Sequence, residues 1–265
     1  MKVYISVDIE GVAGITHWDE ADKTNRDYQE FREQMTREAV AAIEGAEAAG
    51  ATEIWVKDAH SSGRNLITSM LPASVRLVRS WAGHPLCMVQ ELTDDFDAVM
   101  MIGYHAAAGS DANALAHTLS LPPQLITLNG RPASEFYIHA LAGAMLGVPI
   151  VFVSGDEGLM AEVRATNSHI GTCAVKRGVG QSTISMTPAA ACEAIRHGAA
   201  AALRNDLKKA LLPVAKDYVL EIAYGDPVTA YRMGWYPGAE HAGSRRIRFK
   251  TTDYFDVLRM LNFVT

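Results

Sequence analysis

Hydrophobic and polar residues alternate at the start of the chain. Apolar side chains recur at every second position from Val3 to Ile9, which is the period of a β-strand. The opposite face of this predicted strand contains Tyr4, Ser6, Asp8 and Glu10. Taken alone, such a face is most simply the solvent-exposed side of a half-buried sheet. Other parts of the chain must therefore show whether the two acids form a site.

Strands and helices alternate along the first two thirds of the chain. The pattern predicts a helix over 28–49, strands over 53–57, 97–104 and 125–130, a helix capped by Ser134, a strand over 150–154 and a helix over 157–165. A short helix is also predicted over 88–92. This alternation is typical of an α/β fold with a mostly parallel sheet and helices on both faces. We predict that residues 1–185 form an α/β metal-binding catalytic domain.

The pattern changes in the last third of the chain. Thr187 and Pro188 begin a predicted helix, and the segments after it alternate as strand, helix, strand and helix. We predict a smaller α+β domain over 186–265, with a role in assembly and in completing the site. The basic segment 245–250 alternates like a strand, which favours a solvated strand face over an anion-binding patch.

Composition favours a compact protein without a nucleic-acid partner. The chain has 265 residues, of which 49% are hydrophobic and 20% charged. Its net charge of −6, from 24 basic and 30 acidic residues, argues against binding to a phosphate backbone. No Gly-x-Gly-x-x-Gly motif is present, so a dinucleotide cofactor is not expected.

Cysteine use and hydropathy favour a cytoplasmic location. Cys87, Cys173 and Cys192 are scattered, which indicates neither a disulfide framework nor a structural zinc site and fits a reducing compartment. No export signal is expected, because Asp8 interrupts the first apolar run. The uncharged segment 136–155 contains a Gly-Val-Pro turn, so we predict a helix and a strand there and no membrane span.

Chemically active residues follow four of the predicted strands. These are Asp8 with Glu10, Asp58 with His60, His105, and Asp156 with Glu157. The carboxyl ends of parallel strands lie along one edge of a sheet, where ligands of α/β proteins bind. We therefore expect these residues to meet in one crevice.

Carboxylates and neutral imidazoles together are the ligands that zinc prefers. His60 or His105 alone would more often be a hydrogen-bonded residue at a strand end. Combined with Asp8 and Glu10, they favour a metal site in which one carboxylate bridges two ions. Two metals about 3.5–4 Å apart can share a hydroxide that attacks a substrate, as in dinuclear hydrolases.

Spaced motifs along nearly the whole chain resemble a known family, the dinuclear zinc D-aminopeptidases of the bacterial dipeptide-transport operon. The motifs are Ser6–Gly11, Asp58–Ser61, Gly103–Ala106, Ala116–His117, Asn129–Glu135, Gly155–Glu157 and Ala174–Lys176. The likeness is strong to about residue 180 and weaker afterwards. The loop between His105 and His117, which contains Gly109–Asn113, is longer by one residue than the family pattern, which leaves the preferred substrate side chain open.

The resemblance implies a function and a set of site residues. It implies two Zn²⁺ per subunit bound by Asp8, Glu10, His60, His105 and Glu135. It also implies that Asp8 bridges both ions and that His117 is a catalytic histidine. Members of the family remove N-terminal D-residues from short peptides such as D-Ala-D-Ala, and they assemble as a homodecamer of two stacked pentamer rings.

Two other functions stay open at this point. A dinuclear metal phosphoesterase would use similar ligands, and Arg64 and Arg131 lie near the motifs. A non-catalytic ring-forming homologue is the other alternative, although His117 argues against it. In the peptidase, His117 would bind the oxyanion or, as the second choice, protonate the leaving amine.

Overall fold

The computed structural model describes residues 1–265 and contains twelve β-strands and six α-helices. The strands are β1 (Lys2–Val7), β2 (Glu53–Asp58), β3 (Val75–Val78), β4 (Ala98–Tyr104), β5 (Pro123–Leu128), β6 (Arg131–Pro132), β7 (Ile150–Asp156), β8 (Gly171–Val179), β9 (Ser182–Ser185), β10 (Tyr218–Tyr224), β11 (Ala239–Gly243) and β12 (Arg246–Thr251). The helices are α1 (Tyr28–Ala48), α2 (Glu135–Met145), α3 (Glu157–Thr166), α4 (Pro188–Leu203), α5 (Pro227–Met233) and α6 (Tyr254–Val264).

Seven strands form the central sheet in the order β3-β2-β1-β4-β7-β8-β9. Neighbouring strands run parallel, except that β9 is antiparallel to β8. β4 and β7 are buried along their whole length, as expected for central strands that are apolar on both faces. Because β1 lies between β2 and β4, the residues that follow these three strands meet at one edge of the sheet.

Helices cover both faces of the central sheet. α1 packs against α4, β1 and β4, and α4 also contacts β7 and β8. α3 packs on β7 and β8, and α2 packs on β4 and α6. The crossovers through α1 and α3 step in opposite directions across the sheet, so their usual right-handedness puts these helices on opposite faces. The predicted α/β fold class is confirmed.

The second face of β1 is buried, so the interpretation of this face as solvent-exposed is wrong. Tyr4 and Ser6 are fully buried. Their hydroxyls donate hydrogen bonds of 2.6 and 2.7 Å to the backbone carbonyls of Gln90 and Met88. A loop therefore covers this face of the sheet and gives each hydroxyl a partner in place of water.

A second, antiparallel sheet has the strand order β11-β12-β10-β5-β6. Three of its strands come from the C-terminal third of the chain, but β5 and β6 come from the middle. α4 packs against α1, although the sequence assigned it to the C-terminal domain. The division into residues 1–185 and 186–265 stays a prediction. The second sheet contains strands from both sides of this boundary, and α4, from the C-terminal side, packs against α1 from the N-terminal side.

The basic segment near the C-terminus forms β12. Ile247 and Phe249 are buried, whereas Arg246 and Lys250 are exposed. Arg248 pairs with Glu221 at 2.7 Å across to β10. The segment is a solvated strand face with a paired charge, as predicted.

The prediction of a short helix over 88–92 is wrong. The chain forms only a 3-10 turn, Cys87–Val89. Cys87, directly before the predicted helix, has a φ angle of 46°, and Glu91, inside it, has a φ angle of 68°. These left-handed conformations are incompatible with an α-helix.

The uncharged segment 136–155 divides into a helix and a strand, as predicted. α2 ends at Met145 and β7 begins at Ile150. The predicted cap of α2 is also confirmed, because Ser134 Oγ accepts a hydrogen bond of 3.1 Å from the amide of Tyr137. No helix of the protein combines the length and apolar character needed to cross a bilayer.

Candidate metal centre

Acidic and imidazole side chains meet at the carboxyl edge of the central sheet. Asp8 and Glu10 lie in the turn after β1, while His60 and His105 follow β2 and β4. Glu135 is the first residue of α2. All five residues are at most 7% exposed. Their charges are removed from water, so they require compensation from one another or from a bound cation.

Close backbone packing at two glycines holds this edge together. A Cβ atom on Gly11 or on Gly155 would lie 1.8 Å from the carbonyl oxygen of Tyr104, the last residue of β4. A main-chain hydrogen bond of 2.8 Å from Gly11 to Gly103 extends the pairing of β1 with β4 beyond the end of β1. The absence of a side chain at Gly11 therefore allows the turn after β1 to lie directly against the end of β4, and the absence of one at Gly155 allows β7 to approach the same carbonyl from the other side.

Asp8 lies between two imidazoles. Its Oδ1 is 3.4 Å from Nδ1 of His60, and its Oδ2 is 3.5 Å from Nε2 of His105. Glu10 Oε2 is 3.1 Å from the same nitrogen of His60. Glu135 Oε2 is 3.3 Å from the same nitrogen of His105. The cluster has two halves, each with one imidazole and one glutamate, and Asp8 faces both.

Hydrogen bonds to backbone carbonyls fix the orientation of both imidazoles. Nε2 of His60 bonds the carbonyl of Ala21 at 2.8 Å. Nδ1 of His105 bonds the carbonyl of Ala106 at 3.0 Å. A carbonyl only accepts, so in each neutral ring the other nitrogen has a free lone pair directed at the carboxylates. Metal-binding histidines commonly have this arrangement.

His117 stands beside the cluster in the loop between β4 and β5. Its Nδ1 bonds the carbonyl of Leu115 at 3.0 Å, and its Nε2 lies 3.7 Å from Oε1 of Glu135. That oxygen already accepts a hydrogen bond of 2.7 Å from the amide of Leu119. The ring of Trp18 packs edge-on against the His117 ring, with centroids 5.3 Å apart. Nε2 is thus the free nitrogen of a ring with a fixed position.

Several buried polar atoms of the cluster have no hydrogen bond. They are Glu10 Oε2, His105 Nε2 and Glu135 Oε2. Buried polar atoms in folded proteins are nearly always paired, so three orphans in one place indicate a missing ligand. Two overlapping sets of side chains have ligand atoms within 4.8 Å of one another and could hold a cation: Asp8, Glu10 and His105, and His105, His117 and Glu135. Imidazole nitrogen and carboxylate oxygen fit zinc.

Electrostatic coupling sets the charges of the cluster. Burial and the neighbouring Glu10 raise the pKa of Asp8 well above its usual value. Burial would also raise the pKa of Glu135, but the charges of His105 and His117 lower it to about 2. Burial would lower the pKa of His105, but the carboxylates of Glu135 and Asp8 raise it to about 10. A divalent cation would compete with protons for these ring nitrogens, so its binding releases protons.

A buried polar network supports the loop that follows β4. Asp156 caps α3, and its Oδ2 accepts hydrogen bonds of 2.7 Å from the amide of Ala106 and 3.0 Å from Nδ2 of Asn113. Lys176 Nζ donates a hydrogen bond of 2.6 Å to the backbone carbonyl of Glu10. Asp156 therefore faces backbone and amide groups rather than the cluster, and its hydrogen bonds hold the loop after β4 in place.

The cluster opens into a cavity of about 620 Å³, a size typical of small-ligand sites. Its ionisable wall is formed by Asp8, Glu10, His60, His117 and Glu135. Its apolar wall is formed by Trp18, Trp81, Cys87, Met88, Leu119 and Leu121. Asp19 and Asp22 also line the cavity, and no lysine or arginine does.

Comparison with known proteins identifies the family. The M55 peptidase family, described as D-aminopeptidase, matches residues 1–263. The chain belongs to the D-aminopeptidase family. A D-aminopeptidase of Bacillus subtilis (strain 168) is 31% identical over 268 residues, which cover 100% of this chain and 97% of that protein. The resemblance inferred from the motifs is confirmed.

A solved structure of a family member supports the same assignment. It is described as the Zn-dependent D-aminopeptidase DppA from Bacillus subtilis, a self-compartmentalizing protease. The two structures superpose with a TM-score of 0.93 at 29% identity, over 100% of this chain and 96% of that one. The mixed α/β architecture, with its mostly parallel sheet and its antiparallel sheet, is therefore the family fold.

The strand-end argument finds four of the five clustered residues but not Glu135. This glutamate enters from the start of a helix, and only the motif Asn129–Glu135 indicated it. The argument also favoured Asp156, whose side chain faces away from the cluster. Trp18 and Trp81 of the cavity wall were missed, because Trp18 lies in a 3-10 helix of only three residues and Trp81 in a loop, and neither segment has a regular hydrophobic period.

Proposed function

We propose that the protein is a zinc-dependent D-aminopeptidase that removes N-terminal D-amino acids from short peptides such as D-Ala-D-Ala. The main support is Asp8, whose two oxygens face His60 and His105 at 3.4 and 3.5 Å. A carboxylate in this position can bind one cation through each oxygen. The names of the relatives, D-aminopeptidase and Zn-dependent D-aminopeptidase, agree with this proposal.

The proposal includes two Zn²⁺ per subunit. Glu10 and His60 would hold one ion, Glu135 and His105 would hold the other, and Asp8 would bind both. When bound, the ions supply Lewis acidity and lower the pKa of a water molecule toward 7 for attack on the peptide bond. The chain supplies preoriented lone pairs in a buried setting, where electrostatic contacts are stronger than in water.

His117 is proposed to act on the substrate. Nδ1 of His117 donates to the carbonyl of Leu115, so Nε2 is an acceptor in the neutral ring. In the doubly protonated ring, Nε2 can donate a hydrogen bond to the oxyanion that develops at the scissile carbonyl, which we rank first, or pass a proton to the leaving amine. His117 also lies within reach of a metal bound by His105 and Glu135. Its partial exposure and its longer distance of 3.7 Å from Glu135 favour the substrate role over a ligand role.

The cavity favours a peptidase over a phosphoesterase. Arg131 stacks on Tyr137, with its guanidinium 4.1 Å from the ring centroid, and pairs with Glu162. Arg64 is exposed, and neither arginine lines the cavity. A phosphate ester would thus meet several carboxylates and no lysine or arginine. The complete set of ligands, together with His117, argues against a non-catalytic ring protein.

We also propose that the chain forms a homo-oligomer, as a decamer of two pentamer rings, in the cytoplasm. The support is that DppA is described as self-compartmentalizing, a property that requires several subunits to enclose a space. Tyr231 and Trp235 are 62% and 68% exposed and are available for contacts between subunits.

Zinc quantification combined with a substrate panel tests the proposal. The purified chain should contain about two zinc ions and hydrolyse D-Ala-D-Ala, while L-Ala-L-Ala and p-nitrophenyl phosphate should be poor substrates. Asp8→Ala should lose both metal and activity. Hydrolysis of the phosphate ester alone would support the phosphoesterase, and full metal content without hydrolysis of any D-peptide would support a non-catalytic protein.

A further inference from the structure

Two tryptophans line the cavity beside the candidate metal centre. Trp18 and Trp81 are both half-buried, and Leu119 and Met88 add apolar surface next to them. The two methyl groups of D-Ala-D-Ala could cover little of this apolar surface, whereas an aromatic side chain of a peptide could cover much of it. The lining is therefore matched to a larger and more apolar side chain than that of alanine.

Trp81 is fixed from two directions. Its indole Nε1 donates a hydrogen bond of 2.6 Å to the carbonyl of Ser61. The ammonium of Lys57, a fully buried side chain, lies 3.8 Å from the centre of the Trp81 ring and donates a bond of 2.7 Å to the carbonyl of Ser80. A buried cation over an indole is the stronger kind of cation–π contact. The ring is therefore preorganised for binding.

Trp18 is fixed by a short capped helix. Trp18 begins the 3-10 helix Trp18–Glu20, and Glu20 accepts a hydrogen bond of 2.9 Å from the amide of His17. Ala21, which follows this helix, accepts the bond from His60 described above. The same segment therefore orients His60 of the candidate metal centre and places the indole of Trp18 in the cavity wall.

The charges around the cavity exclude anionic side chains. Asp19 and Asp22 are exposed at the cavity, and hydrogen bonds from Thr24 lower the pKa of Asp22. No lysine or arginine offsets them within the lining. An apolar substrate side chain avoids this repulsion and covers the indoles.

We propose that the cavity wall formed by Trp18 and Trp81 binds a large apolar side chain of the peptide, so that peptides with an aromatic D-residue are better substrates than D-Ala-D-Ala. This inference depends on the proposed function. Lys57 is assigned as a positioning residue that acts through Trp81. The preferred side chain belongs either to the cleaved residue or to the one after it, and the substrates below distinguish the two.

The test compares kcat/KM of the zinc-loaded full chain for D-Ala-D-Ala, D-Phe-D-Ala and D-Ala-D-Phe. At least one phenylalanine peptide should exceed D-Ala-D-Ala by about tenfold or more, and the position of its phenylalanine shows which residue occupies the wall. Trp81→Leu should lower this ratio by about tenfold. Trp55→Leu, a matched change at a half-buried tryptophan of β2 outside the cavity, should leave the ratio unchanged.

A double-mutant comparison tests the role of Lys57. Lys57→Met should lower the phenylalanine-to-alanine ratio in the wild-type background and have no further effect on it in the Trp81→Leu background. A general loss of folding would instead lower kcat/KM for all three peptides and leave the ratio unchanged. A ratio that falls equally in both backgrounds would overturn the assignment of Lys57.

Binding measurements separate this inference from the proposed function. Isothermal titration of the zinc-loaded His117→Ala chain with the same peptides reports affinity without turnover. Tighter binding of a phenylalanine peptide without hydrolysis by the wild type would support the apolar wall and contradict the proposed function. Hydrolysis of all three peptides with no preference for phenylalanine in kcat/KM or affinity would overturn the wall and leave the function intact.

Discussion

The imidazole rings of His105 and His117 are stacked, with centroids 4.3 Å apart and planes 12° apart. Only the first of these histidines has a nitrogen directed at Asp8. The stack therefore places a candidate catalytic group, His117, directly on a candidate metal ligand, His105. It fixes the distance of the His117 ring from the cluster.

Removal of His117 should separate metal binding from catalysis. His117→Ala should keep its zinc, because the two halves of the cluster remain, and should lose about 10²–10⁴-fold in kcat. Metal analysis and D-dipeptide kinetics on the same sample measure both effects. His197→Ala, at an exposed position on α4, is the control. Loss of zinc in His117→Ala would show instead that His117 is a ligand.

Asp8 and Glu10 should differ in their effect on metal content. Asp8 faces both imidazoles, whereas Glu10 faces only His60. Asp8→Ala should therefore lose nearly all zinc, and Glu10→Ala should keep about one ion per chain. Metal content after dialysis against a weak chelator gives the comparison. Equal stoichiometries in the two variants would contradict a bridging role for Asp8.

Asp156 should contribute to stability and to the placement of the loop after β4. Asp156→Ala leaves the buried amides of Ala106 and Asn113 without their acceptor, which should cost about 1–3 kcal/mol each. Urea unfolding of the zinc-saturated protein measures the loss. Glu157→Gln, at the exposed neighbouring position, should change stability little. A similar midpoint for both variants would show that the network is not stabilising.

Glu38 should make the stability depend on pH. Burial raises the pKa of this carboxyl on α1 from 4.5 to about 7. The folded state then binds more protons at Glu38 than the unfolded state between these values, so the contribution of Glu38 to stability is fully present below pH 4.5 and is lost as the pH rises through 7. The shift corresponds to about 3 kcal/mol.

Replacement of Glu38 tests this effect. Glu38→Gln should remove most of the decline, and its advantage over the wild type should grow between pH 5 and about pH 7.5. Urea midpoints across this range measure the difference. Glu30→Gln, an exposed position on the same helix, should follow the wild type. Parallel pH profiles for wild type and Glu38→Gln would contradict the raised pKa.

Much of the site could be predicted because parallel topology converts sequence order into position. The carboxyl ends of all strands in a parallel sheet lie on the same edge. The acids after β1 and the histidines after β2 and β4 therefore lie close to one another. Glu135 escaped this argument because its place depends on how α2 packs on the sheet, which is a tertiary feature.

Other features depend on partners that are distant in the sequence. Tyr4 and Ser6 have the alternation of a solvated face, yet carbonyls more than eighty residues away satisfy their hydroxyls. β5 has the pattern of a strand, but nothing local indicates that its neighbour is β10. The orientation of Trp81 likewise depends on Lys57, which lies on a separate element.

The carbonyl of Tyr104 enclosed by Gly11 and Gly155 has a consequence for protein design. Transferring the five clustered side chains to another parallel sheet would not reproduce the cluster, because ordinary neighbouring strands lie about 4.8 Å apart and their exits diverge with the sheet twist. A transplanted site would also need both bare backbone positions. The minimal transferable unit therefore includes the ends of β1, β2 and β4, the start of α2, and the two glycines, of which Gly155 lies in β7.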